Sequence, residues 1–173
     1  MRGSTSGLRT VANARVLVCL IVILVPGGCM FGRMNEPARR AIFFAHYEAV
    51  ERGAAGIEPV HLLLGVIRSE PELARRIAAA AGYDEATLFV RLDGMSPRKP
   101  KRTPQPVEMP LSEQSSRVLT AARRQLSLEL TPADIWVAII KEGGSIATRL
   151  LRELGVTERI VREQEAARPA ASR

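Results

Sequence analysis

Along the chain, Val60-His61-Leu62-Leu63-Leu64-Gly65-Val66-Ile67 is apolar too continuously for a surface helix. Such a run predicts a helix covered on several sides at the centre of a packed unit. A second segment, Ile135-Trp136-Val137-Ala138-Ile139-Ile140, has the same character. Setting Pro59 against Pro132 places the two in register, and this offset of 73 pairs Ala74 with Ala147, Arg76 with Arg149, Gly82 with Gly155 and Glu85 with Glu158 without a gap. Upstream of the prolines the offset becomes 77, matching Arg40 with Arg117, Ile42 with Leu119 and Ala45 with Ala122. An echo at a nearly fixed period is the mark of a tandem duplication.

Each copy reads as helices. In the first, Asn35 is placed to cap a helix that tolerates Pro37 in its first turn. Ala38, Ala41, Ile42, Ala45 and Ala49 line its inner face, and Arg39, Arg40, Glu48 and Arg52 fall mostly on the other. Gly53 and Gly56 end it. Pro59 opens the central helix, Glu72 to Ala81 forms a third that buries Leu73, Ile77 and Ala78 and stops at Gly82, and Asp84 caps a short fourth carrying Leu88. The second copy follows the same course. Ser112 caps a helix with Val118, Leu119, Ala122 and Leu126 inward, and Thr131-Pro132-Ala133-Asp134 resembles a capping box. After the Gly143-Gly144 turn, Ile146, Leu150 and Leu151 supply the third helix up to Gly155, and Thr157 starts the fourth with Ile160 and Val161. The predicted class is all-α with no sheet. Repeat 1 spans about 34–92, a proline-rich basic linker 96–110, repeat 2 about 111–164, and a frayed tail 166–173.

Composition supports one helical domain, since 46% of the 173 residues are hydrophobic but only 4% aromatic, so the core is built on small and aliphatic side chains. The net charge of +7 changes the picture only until it is located. Arg2, Arg9 and Arg15 lie ahead of the repeats, and Arg98, Lys99, Lys101 and Arg102 lie in the linker, so the excess is not a nucleic-acid-binding face. Cys19 and Cys29 also precede the repeats, which leaves the repeats without a disulfide or a cysteine metal site. Residues 1–29 have the layout of a secretory signal: arginines, the apolar run Val16 to Val25, then Pro26-Gly27-Gly28. That run is short for a membrane span of ~20 residues. The competing account is that translation starts at Met30.

Met30-Phe31-Gly32-Arg33, Ala38-Arg39-Arg40, Glu48-Ala49 and His61-Leu62-Leu63-Leu64-Gly65, within the doubled four-helix layout, resemble the Clp N-terminal repeat domain, the substrate-receiving head of ClpA- and ClpC-type unfoldases. The resemblance covers Met30 to about Gln164 and is stronger in the first copy. It implies a pseudo-dimer of two four-helix units spanning residues 30–165. It also implies a non-enzymatic module in protein quality control that binds protein substrates or adaptors, with a Clp unfoldase as one candidate partner. The AAA+ modules of the unfoldases have no counterpart in these residues, and no Gly-x-x-x-x-Gly-Lys-Ser/Thr loop occurs. Some ClpC-type members hold phosphorylated arginine through the Glu of a Thr-Glu-His ahead of the Leu-Leu-Leu-Gly run. Here Val60 and Ala133 occupy the matching positions, so that property does not carry over.

The residues themselves suggest no catalytic group, cofactor or metal site: the only histidines are His46 and His61, and neither a nucleophile elbow nor HExxH is present. The candidates for a peptide-binding surface are Phe43, Phe44, Val60, His61 and Trp136. Phe43 and Phe44 are adjacent and cannot both point inward, whereas Trp136, standing where the first copy has Leu63, reads first as core. An alternative function is a structural or regulatory docking protein, anchored at a membrane or exported through residues 1–29. Phe31-Gly32-Arg33 directly after Met30 matches the usual opening of the family domain, which favours a start there and a cytoplasmic location.

Circular dichroism of the purified chain should be dominated by helix, and limited trypsin should cut first among Arg98, Lys99, Lys101 and Arg102. Early cleavage between Leu62 and Ile77 would redraw the repeat boundaries.

Overall fold

The computed structural model describes residues 33–96, 109–124 and 129–167, all in a unit running from Arg33 to Arg173. The leader, Met30-Phe31-Gly32, the linker between 97 and 108, Leu126 and the tail from 168 onward lie outside the described residues. Eight helices fill those described: α1 (Glu36–Glu51), α2 (Pro59–Ser69), α3 (Pro71–Ala80), α4 (Glu85–Met95), α5 (Glu113–Arg124), α6 (Pro132–Glu142), α7 (Ile146–Glu153) and α8 (Glu158–Ala166).

Local chemistry sets their ends. Asn35, Asp84, Ser145 and Thr157 each cap a helix by accepting a backbone N–H three residues on, and Ser112 Oγ does the same for Ser115. Thr131 and Asp134 complete the capping box reciprocally, Thr131 Oγ1 accepting from Asp134 N–H at 3.2 Å and Asp134 Oδ2 accepting from Thr131 N–H at 2.9 Å. Gly82 and Gly155, equivalent in the duplication, both adopt positive φ, 86° and 70°, as the chain leaves α3 and α7. The fourth helix of the first copy runs to Met95 and buries Leu92 beside Leu88.

Helices α2 and α6 pack against each other at the centre, and α1, α3, α4, α5, α7 and α8 surround them. Every residue of α2 except Arg68 is buried, as is every residue of α6 from Pro132 to Ile139. Burying one large aliphatic side chain is worth about 1.5–3 kcal/mol, so these two helices supply much of the stabilisation. The two halves meet symmetrically: α1 reaches α6 as α5 reaches α2, and α3 meets α8 as α7 meets α4.

The chain segments ahead of the helices repeat this exchange in the backbone. Met34 pairs with Leu130 and Ile57 with Leu111 in isolated parallel bridges. Asn35 N–H donates to Leu130 O at 3.1 Å and Leu130 N–H to Arg33 O at 2.6 Å, while Ser112 N–H donates to Ile57 O at 2.9 Å and Ile57 N–H to Pro110 O at 2.8 Å. By the two sequence offsets, Asn35 corresponds to Ser112, Leu130 to Ile57 and Arg33 to Pro110. Each bond therefore has its mate with the copies exchanged, which is the signature of a two-fold interface.

Three expectations are corrected. Glu48 and Arg52 do not lie on the outer face of α1, because both are only 1% exposed and hold each other in an ion pair. Ile146 opens α7 at the surface, 46% exposed, and leaves inward packing to Ala147, Leu150 and Leu151. The third helix begins at Pro71 and ends at Ala80.

Gly65 fixes how closely α1 and α2 approach. A Cβ there would stand 2.7 Å from Ala45 N and closer still to Ala41 O, both backbone atoms of α1. Gly65→Ala should therefore destabilise the unit by about 1–3 kcal/mol, despite the ~1 kcal/mol better helix propensity of Ala. Urea unfolding followed by circular dichroism checks this. A variant as stable as the parent would mean that the helices separate at no cost.

Candidate functional site

Of the five residues singled out for a binding surface, the structure brings only Phe43 and Phe44 to the exterior. Phe43 is 43% exposed and Phe44 half-buried, with ring centroids 5.9 Å apart in an edge-to-face arrangement. Val60, His61 and Trp136 are buried, so they line no surface in this conformation. Trp136 sits fully inside the core on α6, as expected from its equivalence to Leu63. Val60 and Ala133 are buried aliphatic groups offering nothing to a guanidinium or phosphate. The nearby carboxylate Asp134 is occupied, 2.6 Å from Arg162 on α8.

Sequence inspection passed over Tyr47. It lies one turn beyond Phe43 on α1, is 46% exposed and carries the Arg68 guanidinium 5.8 Å from its ring centroid. The i, i+4 spacing from Phe43 was the available signal. Phe43, Phe44 and Tyr47 are three of only seven aromatic residues in the chain, so their grouping on one helix is a concentrated feature.

Beneath this face lies an ionic cluster. Arg52 Nη2 is 2.9 Å from Glu48 Oε2 and 2.7 Å from Asp93 Oδ1, and Arg52 Nη1 donates to Ser96 O at 2.7 Å. Arg68 Nε makes an ion contact of 2.6 Å with the other Glu48 oxygen. The guanidinium of Arg52 thus joins α1 to the end of α4, and Arg68 adds α2. Removing one member of such a buried pair strands the other, at a cost of about 3–5 kcal/mol.

His61 borders this cluster. Its Nδ1 accepts from Glu58 N–H at 3.0 Å, which places its proton on Nε2, 3.1 Å from Ser96 Oγ. Burial, and secondarily the Arg52 charge, push the imidazole down to about 4 from 6.5. The ring is therefore a neutral capping group, doing for α2 what Asp134 does for α6. His46, on α1, is also held below its ordinary value by burial.

A shallow cavity of about 230 Å³ opens among Ile140, Thr148, Arg152, Val156 and Glu158, between α6, α7 and the start of α8. Its volume is below the ~300 Å³ lower bound of typical ligand pockets. Among the described residues, no group of three or more His, Cys, Asp or Glu side chains is placed to hold a metal ion. Nor is any helix among them long and apolar enough to cross a membrane.

The family model described as Clp repeat (R) N-terminal domain matches residues 33–128, more than half of the chain. The chain belongs to the Clp N-terminal domain family. Domains of this family bind substrates and adaptors in Clp unfoldases. Over 136 residues, or 78% of its length, the chain is 26% identical to the negative regulator of genetic competence ClpC/MecB of Bacillus subtilis. Over the same span length it is 25% identical to the chaperone protein ClpB of Oceanobacillus iheyensis. It spans 17% of the length of each of these relatives. Among solved structures, the Hsp104 N-terminal domain of Candida albicans aligns with a TM-score of 0.62 at 19% identity, covering 76% of this chain and 87% of that one. The N-terminal domain of ClpD from Arabidopsis thaliana aligns with a TM-score of 0.59 at 24% identity, covering 82% and 97%. These structures share the all-α fold of this Clp N-terminal domain.

The depressed His61 sets a pH dependence. Between about 4 and 6.5 the unfolded chain binds the proton that the folded His61 refuses, so stability falls as pH drops through this window. The loss should be on the order of 2 kcal/mol by pH 5. His61→Asn, which keeps a neutral cap acceptor, should lose that much less stability than the parent between pH 7 and pH 5 in urea titrations followed by the fluorescence of the single tryptophan. Identical acid dependence would remove His61 from this role.

Proposed function

We propose that the chain is a non-enzymatic protein- and peptide-binding module of the Clp N-terminal kind, acting in protein quality control in the cytoplasm by docking protein substrates or adaptors. The observation that carries this reading is the outer face of α1, where Phe43 and Tyr47 stand 43% and 46% exposed with Phe44 between them. Aromatic side chains offer large contact area at little conformational cost, and clustered exposure marks interaction surfaces. Support comes from the family, whose members use this fold as a receiving domain. Arg52 donates to Glu48 and to Ser96 O, and His61 accepts from the Glu58 amide, so these buried polar groups serve the fold.

A photocrosslinking amino acid placed at Phe43 tests the proposal, with the equivalent exposed position in the second copy, Thr120, as control. In native extract, crosslinks from position 43 to a Clp unfoldase, an adaptor or a protein being processed by one, absent from position 120, are the expected result. Equal labelling from both positions, or none from 43, would overturn it.

A further inference from the structure

Helices α1 and α5 hold equivalent places in the two copies, yet their outer faces differ. By the offset of 77, Phe43, Phe44 and Tyr47 correspond to Thr120, Ala121 and Arg124. The same fold is therefore built without aromatics at these positions, so packing does not require them in α1.

The charges diverge as well. Arg117 is neutralised on two sides, by Glu113 at 2.7 Å and by Glu142 at 3.0 Å. Its counterpart Arg40 has neither. Glu36, which corresponds to Glu113, is engaged by Arg39 at 2.9 Å, and Ser69 stands where the second copy has Glu142. Arg40 is exposed and makes no ion pair among the described residues. It lies one turn before Phe43 and Phe44 on the same side of α1, and at the far end of the aromatic group the Arg68 guanidinium, 35% exposed, covers the Tyr47 ring. An apolar strip bounded by one arginine without an ion pair among the described residues and by a second, partly exposed one is complementary to a ligand that is apolar and negatively charged at once.

We propose that the strip formed by Arg40, Phe43, Phe44, Tyr47 and Arg68 receives a peptide segment of a partner protein in which Asp or Glu flanks aliphatic or aromatic side chains. The partner's carboxylate meets Arg40 and its apolar groups cover Phe43 and Tyr47. This selectivity rests on the binding-module reading above and adds the chemistry of the partner to it.

Three labelled probe peptides of equal length separate the claims in fluorescence anisotropy with the full chain: Leu and Phe interspersed with Glu, the same with Gln, and the same with Lys. The Glu peptide should bind about fivefold more tightly than the Gln peptide at low salt, the upper range for one exposed ion pair, and the Lys peptide more weakly than either. Arg40→Gln should erase the Glu preference while leaving the Gln peptide unaffected. Phe43→Ser with Tyr47→Ser should weaken all three, with an unchanged helical circular dichroism spectrum showing that the fold persists. Equal binding of Glu and Gln peptides that still needs Phe43 and Tyr47 overturns the acidic selectivity but keeps the binding face. Indifference to the double serine variant overturns both. A Glu preference lost on neutralising Arg98, Lys99, Lys101 and Arg102 and kept in Arg40→Gln overturns the acidic selectivity of the strip. Binding of phosphatidylglycerol vesicles, or self-association, that depends on Phe43 and Tyr47 while none of the peptides binds would assign the strip to a membrane or to a second copy and overturn the proposal.

Discussion

The constraint on which everything else depends is that α2 and α6 are apolar around nearly their whole circumference. Apart from Arg68 on α2 and the last residues of α6, neither helix faces water, so neither four-helix unit is satisfactory alone; each needs the other's central helix as a wall. The exchanged backbone pairs between Met34 and Leu130 and between Ile57 and Leu111 follow from this. Once the two central helices meet about a pseudo-two-fold axis, the strands of chain leading into the flanking helices are brought side by side. Their N–H and C=O groups then pair with each other instead of being buried unpaired. The duplication is thus a way of closing a core that one copy leaves open.

Two copies of one fold in a single chain also form an internal comparison. Positions that agree mark what the fold needs: Gly82 and Gly155 past the third helices, Pro59 and Pro132 opening the second, His61 and Asp134 accepting the N-cap amide by different chemistry. Positions that differ have been released from that requirement. At Gly65 the first copy uses a glycine to bring α1 and α2 nearly into backbone contact, whereas the second has Ala138 at the equivalent position. The ionic cluster of Glu48, Arg52, Asp93 and Ser96 likewise belongs to the first copy, since Arg52 corresponds to Glu129 and Asp93 to Ala166.

These differences explain how far the sequence could be read. Element positions and caps were legible because they depend on neighbours three or four residues away: Asn35, Asp84 and Thr157 each bond within their own first turn. Glu48 and Arg52 were assigned to the outside because charged residues on an amphipathic helix are ordinarily solvated. Their partners are Arg68 for Glu48 and Asp93 and Ser96 for Arg52, all far along the chain, and local periodicity holds no information about such partners. The candidate surface was legible only in part for the same reason. Phe43 and Phe44 had to compete for one inner face, which a helical wheel shows, but whether Val60, His61 and Trp136 faced solvent depended on the opposite copy covering them. Tyr47 was visible as an i+4 companion of Phe43 and was missed because a tyrosine, an apolar ring with a polar tip, suits the inside and the outside of a helix equally.

Arg68 links the two features that distinguish the first copy. One edge of its guanidinium meets the buried Glu48 carboxylate at 2.6 Å, and its face covers Tyr47. A flexible arginine on an open surface would forfeit side-chain entropy on engaging a ligand, whereas this one is already held by a carboxylate that is itself tied to Arg52 and α4. Tyr47 is thereby restrained by a guanidinium that is itself held, and the aromatic strip is presented in a conformation set by the interior. Such pre-organisation lowers the cost of binding without adding a contact. It also gives the buried cluster a consequence beyond stability: loosening Glu48 would release Arg68, and through it the tyrosine at the end of the strip, while leaving Phe43 and Phe44 where α1 holds them.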